Sequence, residues 1–483
     1  MEARLRVRTW SLARLTPSVA LYALLLAGSA FVLAVRLWLL RDFPLWLDET
    51  WTAVIAAQPG WAAFWREVWL DANAPLYYLA MALWPGGDSN LALRLPSLIF
   101  MAATPLLALA WKVPGLSRQT RLTWAALLFF WAPGLLLSAD ARAYALLLLV
   151  SAGQTIAFAR LLDTPDLRRA AAWCALAGLA VATHYFAAWP ALVQGLFYIG
   201  LHRGRAVRTL PALLVLAPLA AWGLHHLPRL LIYARPEVAW YEPLSIAAAL
   251  RAATSVVGPS IAFALILALI LAACRLLPRE AAAGRGARWT AMAGAATLAL
   301  LVAVAMAKPF LAERYLVPLV PSALLGVAML ARAPLGQALV AAWYLVAIDP
   351  AASRSALETR ARFGLETPTR YLLAARPDSL VYSLGYAGAR VLDPGTMAQI
   401  GGYFFARAGR PVAARMVATG ADPAGELVAA ARGARPALIL LYRLDEPPDL
   451  RRLGRGWRCR RWTGHGSATL ACAPRRLFEE SGR

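Results

Sequence analysis

The sequence predicts an all-α polytopic membrane protein, with about eleven transmembrane helices, additional juxtamembrane helices and a small C-terminal soluble α/β domain. Of its 483 residues, 60% are hydrophobic and only 16% are charged, and the mean hydropathy is +0.56. Soluble cores of ordinary size cannot bury so much apolar surface, so lipid must cover much of it. Apolar runs of spanning length recur over the first 350 residues, whereas the remainder is richer in proline, glycine and charge.

Each predicted span is an apolar run long enough to cross the hydrocarbon core of a bilayer. Such runs lie at 17–39, 93–111, 121–138, 141–162, 259–277, 288–306, 312–331 and 335–349, and the region 170–227 is expected to hold three more. The first run follows Arg4, Arg6, Arg8 and Arg14. Because it is too long for a signal-peptide core and lacks a small-residue cleavage pattern, we expect it to be retained as the first helix.

Short basic clusters between the apolar runs predict the orientation of the chain. The clusters are Lys112/Arg118/Arg121, Arg168/Arg169, Arg203/Arg205/Arg208 and Arg275/Arg279/Arg285/Arg288. A cytoplasmic N-terminus places every one of them in the cytoplasm, as the positive-inside rule requires. It also requires residues 170–201 to form a hairpin that turns near His184 and Tyr185 on the far side. The net charge of +23 therefore indicates membrane orientation and no nucleic-acid partner.

We divide the chain into a transmembrane domain, residues 1–350, and an extracytoplasmic α/β domain, residues 351–483. Short β-rich runs at 378–384 and 437–442 indicate a small sheet in the second domain. Because oxidation is permitted outside the cytoplasm, we expect a disulfide between Cys459 and Cys472, the alternative being two reduced cysteines.

The first outer loop, residues 41–92, begins with two adjacent carboxylates, Asp48 and Glu49. Charges at the end of a transmembrane helix indicate either a function or a solvated interfacial pair. The loop continues with Trp61, Trp65 and Trp69, whose four-residue spacing aligns them on one helical face. This pattern predicts juxtamembrane helices that close over a lipid carrier, or a simple interfacial anchor.

A second acid on the predicted outer side, Asp140, lies close to Arg142 at the junction of two helices. The two residues can simply pair with each other. Two acidic centres on the same membrane face also suit acid–base chemistry at a lipid–water boundary, because one carboxylate can deprotonate a hydroxyl that another orients. We expect Asp48 and Asp140 to converge on one outer cavity.

Basic side chains on the same side could bind a lipid-linked phosphate. The candidates are His225, His226, Arg229, Arg235, Lys308 and Arg314. Arginine matches phosphate bidentately and lysine supplies a point charge. Arg229 is more typical of a headgroup contact, and Glu313 could be a structural partner of Arg314. His184 and Tyr185, at a tight turn, are secondary candidates.

Six motifs in order make the chain resemble the family of dolichyl-phosphate-mannose protein mannosyltransferases and aminoarabinose transferases, which share the C-type glycosyltransferase (GT-C) fold. They are Leu47-Asp48-Glu49, Asn73-Ala74-Pro75-Leu76-Tyr77-Tyr78, Ala92-Leu93-Arg94-Leu95-Pro96-Ser97, Ala141-Arg142-Ala143-Tyr144-Ala145-Leu146, His184-Tyr185 and Glu313-Arg314-Tyr315-Leu316-Val317-Pro318. Their positions, from Leu47 to Pro318, are spread over most of residues 1–350.

The resemblance implies an inverting glycosyltransferase whose main catalytic carboxylate is Asp48, with Asp140 as the acid of the second loop and Glu49 beside them. It implies substrate contacts from Asn73, Tyr77, Arg142, Tyr144, His184, Tyr185, Arg235, Lys308, Arg314 and Tyr315. The chain departs from the family at Asn73-Ala74-Pro75, where relatives often carry a basic residue before two prolines. Phosphate binding is therefore expected to depend more on Arg235, Lys308 or Arg314.

The expected reaction is transfer of a sugar from a polyprenyl phosphate to a protein, lipid or glycan acceptor at the outer leaflet of a bacterial inner membrane. Phosphate is a good leaving group that the basic residues can stabilise, so we expect no obligatory metal, although a divalent ion could bind. The partners would be the polyprenyl-phosphate sugar, membrane lipids and the acceptor. The alternatives are a transporter or lipid flippase, although no repeat halves are evident, and an envelope assembly protein that acts through its tail.

Overall fold

The computed structural model describes residues 17–87, 89–235, 238, 245–278, 283–385, 387–420, 422–431, 433–464 and 466–480. The basic residues Arg4, Arg6, Arg8, Arg14 and Arg279, used above for orientation, lie outside the described residues.

Helices form most of the described part of the first 350 residues. In chain order they are α1 (Pro17–Leu39), α2 (Leu47–Ala56), α3 (Trp61–Leu70), α4 (Pro75–Ala82), α5 (Asn90–Ala110), α6 (Arg118–Phe130), α7 (Gly134–Ser138), α8 (Tyr144–Asp163), α9 (Leu167–Thr183), α10 (Ala188–His202), α11 (Gly204–Val207), α12 (Ala217–Tyr233), α13 (Ile246–Ser255), α14 (Ile261–Ala273), α15 (Arg285–Ala307), α16 (Val320–Leu330) and α17 (Pro334–Val346). Short 3₁₀ segments at Tyr185–Ala187, Leu210–Leu216, Cys274–Leu276 and Glu313–Leu319 join some of them.

Among the described residues, six helical segments are long and apolar enough to cross a membrane, and a seventh if the bent pair formed by α17 and Pro350–Ala361 is one span. The chain is thus an integral membrane protein, as the sequence predicts. The predicted count of about eleven spans is not confirmed, because several apolar helices are short. For example, α6 and α14 have 13 residues each and α10 has 15.

The basic clusters lie together at one end of the helical bundle, which we call the basic end. Arg160 at the end of α8 donates to the Lys112 carbonyl at 3.1 Å, and the Gly284 N–H donates to the Gly115 carbonyl at 3.1 Å. Arg332 in turn donates to the Arg275 carbonyl at 3.0 Å. These contacts join loops that the sequence places on one side of the membrane, so the arrangement agrees with the predicted topology.

The bundle is held at its other end by a buried arginine of α1. Arg36 donates to the carbonyl oxygens of Gly134 and Phe129 at 2.5 and 2.8 Å, and its guanidinium lies over the Phe129 ring. Pro133 has no N–H to donate to the Phe129 carbonyl four residues earlier, so Arg36 satisfies that carbonyl where α6 ends. The first outer loop follows α1 at this same end of the bundle, so these hydrogen bonds of Arg36 fix the position at which the loop begins.

Three helices, α2, α3 and α4, make up most of the first outer loop. At the start of α2 the Glu49 carboxylate accepts the Trp46 backbone N–H at 3.3 Å, and Pro75 occupies the first turn of α4, where its missing N–H costs nothing. Helix α3 is amphipathic, because Phe64 is buried whereas Trp61 and Trp65 are 54% and 39% exposed. This is the pattern that the tryptophan spacing predicts for a helix at the membrane surface.

The tail begins with α18 (Pro350–Ala361) and α19 (Glu366–Leu372) and continues as a five-stranded sheet of order β2-β1-β3-β5-β4. The strands are β1 (Ser379–Ser383), β2 (Ala413–Met416), β3 (Pro436–Arg443), β4 (Trp457–Thr463) and β5 (Ser467–Pro474), with helices α20 (Pro394–Arg407), α21 (Pro423–Ala430) and α22 (Arg475–Glu480). The first three strands are parallel and the last two are antiparallel. The β-rich runs read from the sequence coincide with β1 and β3.

A disulfide joins the two strands at one edge of the sheet. Cys459 in β4 and Cys472 in β5 are directly opposite in the register, and their sulfur atoms are bonded at 2.13 Å. The other two cysteines, Cys174 and Cys274, are buried in the bundle as free thiols. The bond ties the edge strand to the covered part of the sheet.

The tail packs directly on the first outer loop through a buried polar network. Glu366 accepts the Leu45 N–H at 2.6 Å and the Asn90 side-chain amide at 2.9 Å, and Arg370 neutralises it at 2.6 Å. Arg407 of α20 donates to Asn90 at 2.7 Å. Glu366 and Asn90 are buried, whereas Arg370 and Arg407 are exposed. Breaking the network would leave the buried carboxylate and amide without partners, so the tail has a fixed position over the loop.

Candidate active site

A cavity of about 470 Å³ lies between the end of the bundle and the tail. Its walls come from the first outer loop, the segment before α8, the 3₁₀ segment Glu313–Leu319, the region after α12, and the tail. The lining residues are Trp46, Leu47, Asp48, Trp51, Asp71, Ala72, Asn73, Arg142, Tyr233, Val238, Arg314, Phe363, Leu384, Gly385, Leu392, Tyr442, Arg443 and Ser467. The predicted residues Asp48, Asn73, Arg142 and Arg314 are therefore brought to one space.

Asp48 faces this cavity from the first turn of α2. Its side chain is 28% exposed, and one carboxylate oxygen lies 3.7 Å from Nη2 of Arg142. Arg142 also donates from Nη1 to the Asp48 carbonyl at 3.1 Å, so the arginine holds both the backbone and the side chain of Asp48. The negative charge of a carboxylate near the start of a helix is stabilised by the helix dipole.

Arg314 brings a second guanidinium group to the cavity wall. It lies over the ring of Tyr315, with 5.6 Å between the guanidinium carbon and the ring centroid. Tyr315 itself stacks on His184 and Phe186, at 5.1 and 4.4 Å between ring centroids. These aromatic rings pack against Arg314 on the side of Tyr315. Arg142 and Arg314 therefore place two positive charges in the cavity that Asp48 also lines.

Glu49, predicted as a catalytic neighbour of Asp48, points away from the cavity and is only 1% exposed. Arg94 binds it bidentately at 2.6 and 2.7 Å, the Ala141 N–H donates to it at 2.8 Å, and it caps α2 through Trp46. These partners use its lone pairs. We therefore correct its role: Glu49 is a buried structural carboxylate that ties α2, α5 and the Asp140 segment together.

Asp140 does not converge with Asp48 on the cavity, contrary to the sequence-based expectation. It is 3% exposed and lies behind Trp46, whose indole N–H donates to it at 3.0 Å, while Arg360 of α18 binds its other oxygen at 3.0 Å. Burial outweighs the nearby positive charge of Arg360 and raises the pKa of Asp140 to about 6. Trp46 lines the cavity, so Asp140 can position the cavity wall but does not face a substrate there.

Asp71 is a second carboxylate of the cavity that the sequence analysis did not select. Its Oδ2 accepts hydrogen bonds from the Tyr78 hydroxyl at 2.6 Å and the Asn73 side-chain amide at 2.8 Å. Asn73 is thus engaged by Asp71 instead of being held for a phosphate. The signal that could have found Asp71 is its place two residues before Asn73, at the end of the tryptophan-bearing helix.

A tight group of aromatic side chains lies behind Arg142. Tyr77, Tyr144 and His184 surround a gap of about 10 Å³, and the rings of Tyr144 and His184 lie 5.6 Å apart. Burial, together with the positive charges of Arg142 and Arg314, lowers the pKa of His184 to about 3. His184 is therefore neutral and packs against the rings of Tyr144 and Tyr315, whereas the Tyr77 hydroxyl lies 3.5 Å from the Ser97 hydroxyl.

Other predicted phosphate contacts lie outside the lining of the cavity. The Tyr185 hydroxyl lies 2.6 Å from Nδ1 of His226, which joins α12 to the 3₁₀ segment Tyr185–Ala187. Arg229 donates to the Leu70 carbonyl at 3.0 Å, which joins α12 to the end of α3. Arg235 and Lys308 are exposed and are not among the lining residues. The structure therefore does not bring these side chains to Asp48.

The tail supplies a wall of the cavity that sequence reasoning did not identify. Leu384 and Gly385 follow β1, and Tyr442 and Arg443 end β3; because the two strands are parallel, their carboxyl ends meet at one edge of the sheet. Gly385 has a φ of +69°, and a Cβ there would collide with the Leu441 carbonyl oxygen. This edge closes the cavity opposite the bundle.

Two solved structures resemble this chain over nearly its whole length. Both are crystal structures of ArnT from Cupriavidus metallidurans. The apo structure gives a TM-score of 0.55 over 95% of this chain and 99% of ArnT, and the structure bound to undecaprenyl phosphate gives 0.51 over 94% and 98%, each at 14% sequence identity.

The chain has the fold of ArnT. The GT-C fold and the resemblance to aminoarabinose transferases predicted from the sequence motifs are thereby confirmed. The likeness to ArnT at this low identity establishes the fold alone. No protein-family model and no curated protein sequence matches the chain.

A metal site requires several ligating side chains close together. Over the described residues, no group of three or more His, Cys, Asp or Glu side chains is close enough to hold a metal ion. The expectation that no metal is obligatory stays a prediction.

Proposed function

We propose that this protein is a glycosyltransferase of the bacterial inner membrane that transfers a sugar from a polyprenyl phosphate to an envelope acceptor on the extracytoplasmic face. The observation that carries the proposal is a partly exposed carboxylate, Asp48, that shares one cavity with two guanidinium groups, Arg142 and Arg314. The fold adds support, because an ArnT structure with the same fold holds undecaprenyl phosphate.

The two arginines suit the phosphate of the donor. Guanidinium groups bind phosphate bidentately and stay charged at every physiological pH, so they can hold the donor and accept the negative charge that grows on the leaving phosphate. Of the predicted substrate contacts, Arg142 and Arg314 are the arginines that line the cavity, so we assign the phosphate to them instead of to Arg235 or Lys308.

Asp48 suits the acceptor. Its ionised carboxylate would take the proton of an acceptor hydroxyl as the oxygen attacks the anomeric carbon of the sugar. The bond between that carbon and the phosphate oxygen breaks at the same time, and the electron pair leaves with the polyprenyl phosphate. A single displacement of this kind inverts the anomeric centre, as the family resemblance implies.

The buried groups around the site keep this geometry. Glu49 fixes α2 against α5, and Asp140 holds Trp46 at the cavity wall, so both act on Asp48 through the backbone that carries it. Asp71 is already engaged by Tyr78 and Asn73, which makes it the weaker candidate for the base. Acceptor choice is assigned to the tail wall, where Tyr442, Arg443 and Ser467 face Asp48 across the cavity.

A reconstituted transfer assay tests the proposal. Purified protein receives undecaprenyl phosphate that carries a radiolabelled sugar, together with extracted envelope material as acceptor. We expect label to move to the acceptor and free undecaprenyl phosphate to appear in equal amount. Added undecaprenyl phosphate should compete, and a chelator should leave the rate unchanged.

Two alternatives give different results in the same assay. A transporter or flippase in sealed vesicles would move the labelled lipid between leaflets and leave the bond from sugar to phosphate intact. An assembly protein would leave the label in place on its original side. Either pattern, in a preparation that retains its thermal transition, contradicts the proposed function.

A further inference from the structure

A second cavity, which we call the basic-end cavity, lies at the basic end of the bundle. It has a volume of about 300 Å³ and is lined by Leu162, Asp163, Pro165, Leu201, His202, Arg205 and Arg285. It is separated from the candidate active site by the length of α8, which at 20 residues is about 30 Å. Because the ends of α8, α10 and α15 form it, the cavity lies at the depth of lipid headgroups when the bundle spans a bilayer.

The polar groups of the basic-end cavity are arranged around two arginines. Asp163 accepts the Gly286 N–H at 2.7 Å and so anchors the start of α15. His202 lies 3.1 Å from the Leu162 carbonyl oxygen through Nε2, which fixes the end of α10 beside α8. These contacts hold the frame in which Arg205 of α11 and Arg285 of α15 face one space.

Apolar side chains lie next to this cavity along the chain. Immediately after Arg205, Val207, Leu210 and Leu214 are 63%, 50% and 77% exposed. Leu210 and Leu214 belong to the 3₁₀ segment that leads into α12 and the bilayer. A small soluble anion would leave these side chains uncovered, whereas the acyl chains of a lipid would cover them while its headgroup fills the cavity.

We propose that the basic-end cavity binds the headgroup phosphate of an anionic phospholipid. Basic pockets between transmembrane helices recruit such headgroups, because the arginines pair with the phosphate and the field of the surrounding basic residues favours negative charge. Arg205 and Arg285 would bind the phosphate oxygens, and the exposed 3₁₀ segment would contact the acyl chains. The lipid would join α8, α10, α11 and α15 at the end opposite the catalytic chemistry.

A lipid titration of the full-length protein tests this site. The protein is purified in a neutral detergent, and its melting temperature is followed as dihexanoylphosphatidylglycerol is added. We expect a saturable rise for wild type, whereas Arg205→Gln/Arg285→Gln needs at least about tenfold more lipid, since each arginine near a phosphate contributes roughly 1 kcal/mol. The zwitterionic dihexanoylphosphatidylcholine and inorganic phosphate should give no such rise.

The control variant is Arg118→Gln/Arg168→Gln, which removes two exposed charges from the same end of the bundle outside the basic-end cavity. It should respond to the lipid as wild type does. Equal weakening in both double variants would mean a diffuse electrostatic attraction and overturns the proposal, as does an equal response to phosphatidylcholine or to phosphate alone.

Two further measurements keep the outcome decisive. If Arg205→Gln/Arg285→Gln is not recovered as folded protein, Arg205→Gln alone, on the exposed α11, should weaken the response roughly fivefold; an unchanged response contradicts the site. Sugar transfer is expected to be unaffected by these variants in detergent. Failure of the lipid site therefore leaves the proposed transferase activity untouched.

Discussion

Asp48 and Glu49 are neighbours in the first turn of α2, yet the helix rotates them by about 100° and places them in different surroundings. Asp48 faces the cavity and Arg142, whereas Glu49 is sealed against Arg94. An exposed carboxylate can exchange protons with a substrate, but a buried one with four donors cannot without losing its partners. Of these two neighbours, only Asp48 is therefore placed to act as the proposed base.

The sequence predicted Asp48, Arg142 and Arg314 as site residues, and the structure places all three at one cavity. It could not tell the surroundings of Asp48 from those of Glu49, nor show that Asp140 is buried. The partner of Glu49 is Arg94, and the partner of Asp140 is Arg360, which lies 220 positions away. Such pairings depend on tertiary packing that no local pattern carries. Asp71 was missed for the same reason, because its orientation is set by Tyr78.

The cavity arginines predict a specific kinetic defect. Replacing Arg142 by Gln removes one of the two proposed phosphate contacts and the ion pair with Asp48. We therefore expect kcat/KM to fall about 10²-fold, mostly through kcat if the contact strengthens as the phosphate leaves. Steady-state kinetics with the labelled donor checks this. Arg235→Gln, an exposed arginine outside the cavity, is the matched control and should behave as wild type.

Asp140 predicts how stability depends on pH. Because its pKa is raised from 3.8 to about 6 in the folded protein, the folded state binds this proton more tightly than the unfolded chain. The resulting stabilisation is complete below about pH 4 and is lost as the pH rises through 6, an effect of up to about 3 kcal/mol.

Unfolding midpoints of wild type and Asp140→Asn between pH 4 and 7 measure this dependence. The stability of wild type relative to the Asn variant should fall as the pH rises across that window. Parallel curves would show that the pKa of Asp140 is not raised in the folded protein.

At the scale of elements, the cavity exists because the tail packs on the first outer loop. Phe363 accepts the Leu47 N–H at 3.1 Å, and Arg360 of α18 reaches Asp140, so α18 and the segment after it brace the start of α2. The sequence predicted a soluble tail with strands near β1 and β3, but not that its sheet edge would line the site. That contact depends on Glu366 and Asn90, which carry no recognisable motif.

Removing the disulfide between Cys459 and Cys472 should destabilise the edge strand β4 locally. Closing a loop of 13 residues stabilises a fold by about 3 kcal/mol in the chain-entropy account. In Cys459→Ser/Cys472→Ser, amide hydrogen exchange in β4 should therefore accelerate about 10²-fold. Cys174→Ser, in the bundle, is the control; equal acceleration in both variants would contradict a role for the bond in holding β4.

At the scale of the whole molecule, opposite ends of the bundle carry opposite chemistry. The basic clusters lie at one end, and the cavity, the first outer loop and the tail lie at the other. The alternation of apolar runs and arginine clusters predicted this polarity from the sequence, because charge near helix ends is legible without tertiary contacts. The number of spans was harder to predict, since 3₁₀ segments and short helices interrupt the apolar runs.

Cysteine labelling tests the proposed orientation. Arg455→Cys, exposed on the tail, should react with a membrane-impermeant maleimide on intact spheroplasts, whereas Arg168→Cys, exposed at the basic end, should react only after lysis. The native Cys174 and Cys274 are buried, and the other two cysteines are bonded, so the background should be low. The reverse pattern would invert the topology and remove the cavity from the extracytoplasmic face.

The most direct test of the central claim is the transfer rate of Asp48→Asn measured beside its affinity for undecaprenyl phosphate. If Asp48 is the base, the rate should fall by about 10³-fold or more, since a positioned base contributes roughly 10² to 10⁴, while the lipid phosphate binds as before. Asp71→Asn serves as the matched carboxylate of the same cavity and should retain most of the activity. A folded Asp48→Asn protein that transfers sugar within tenfold of the wild-type rate would contradict the account.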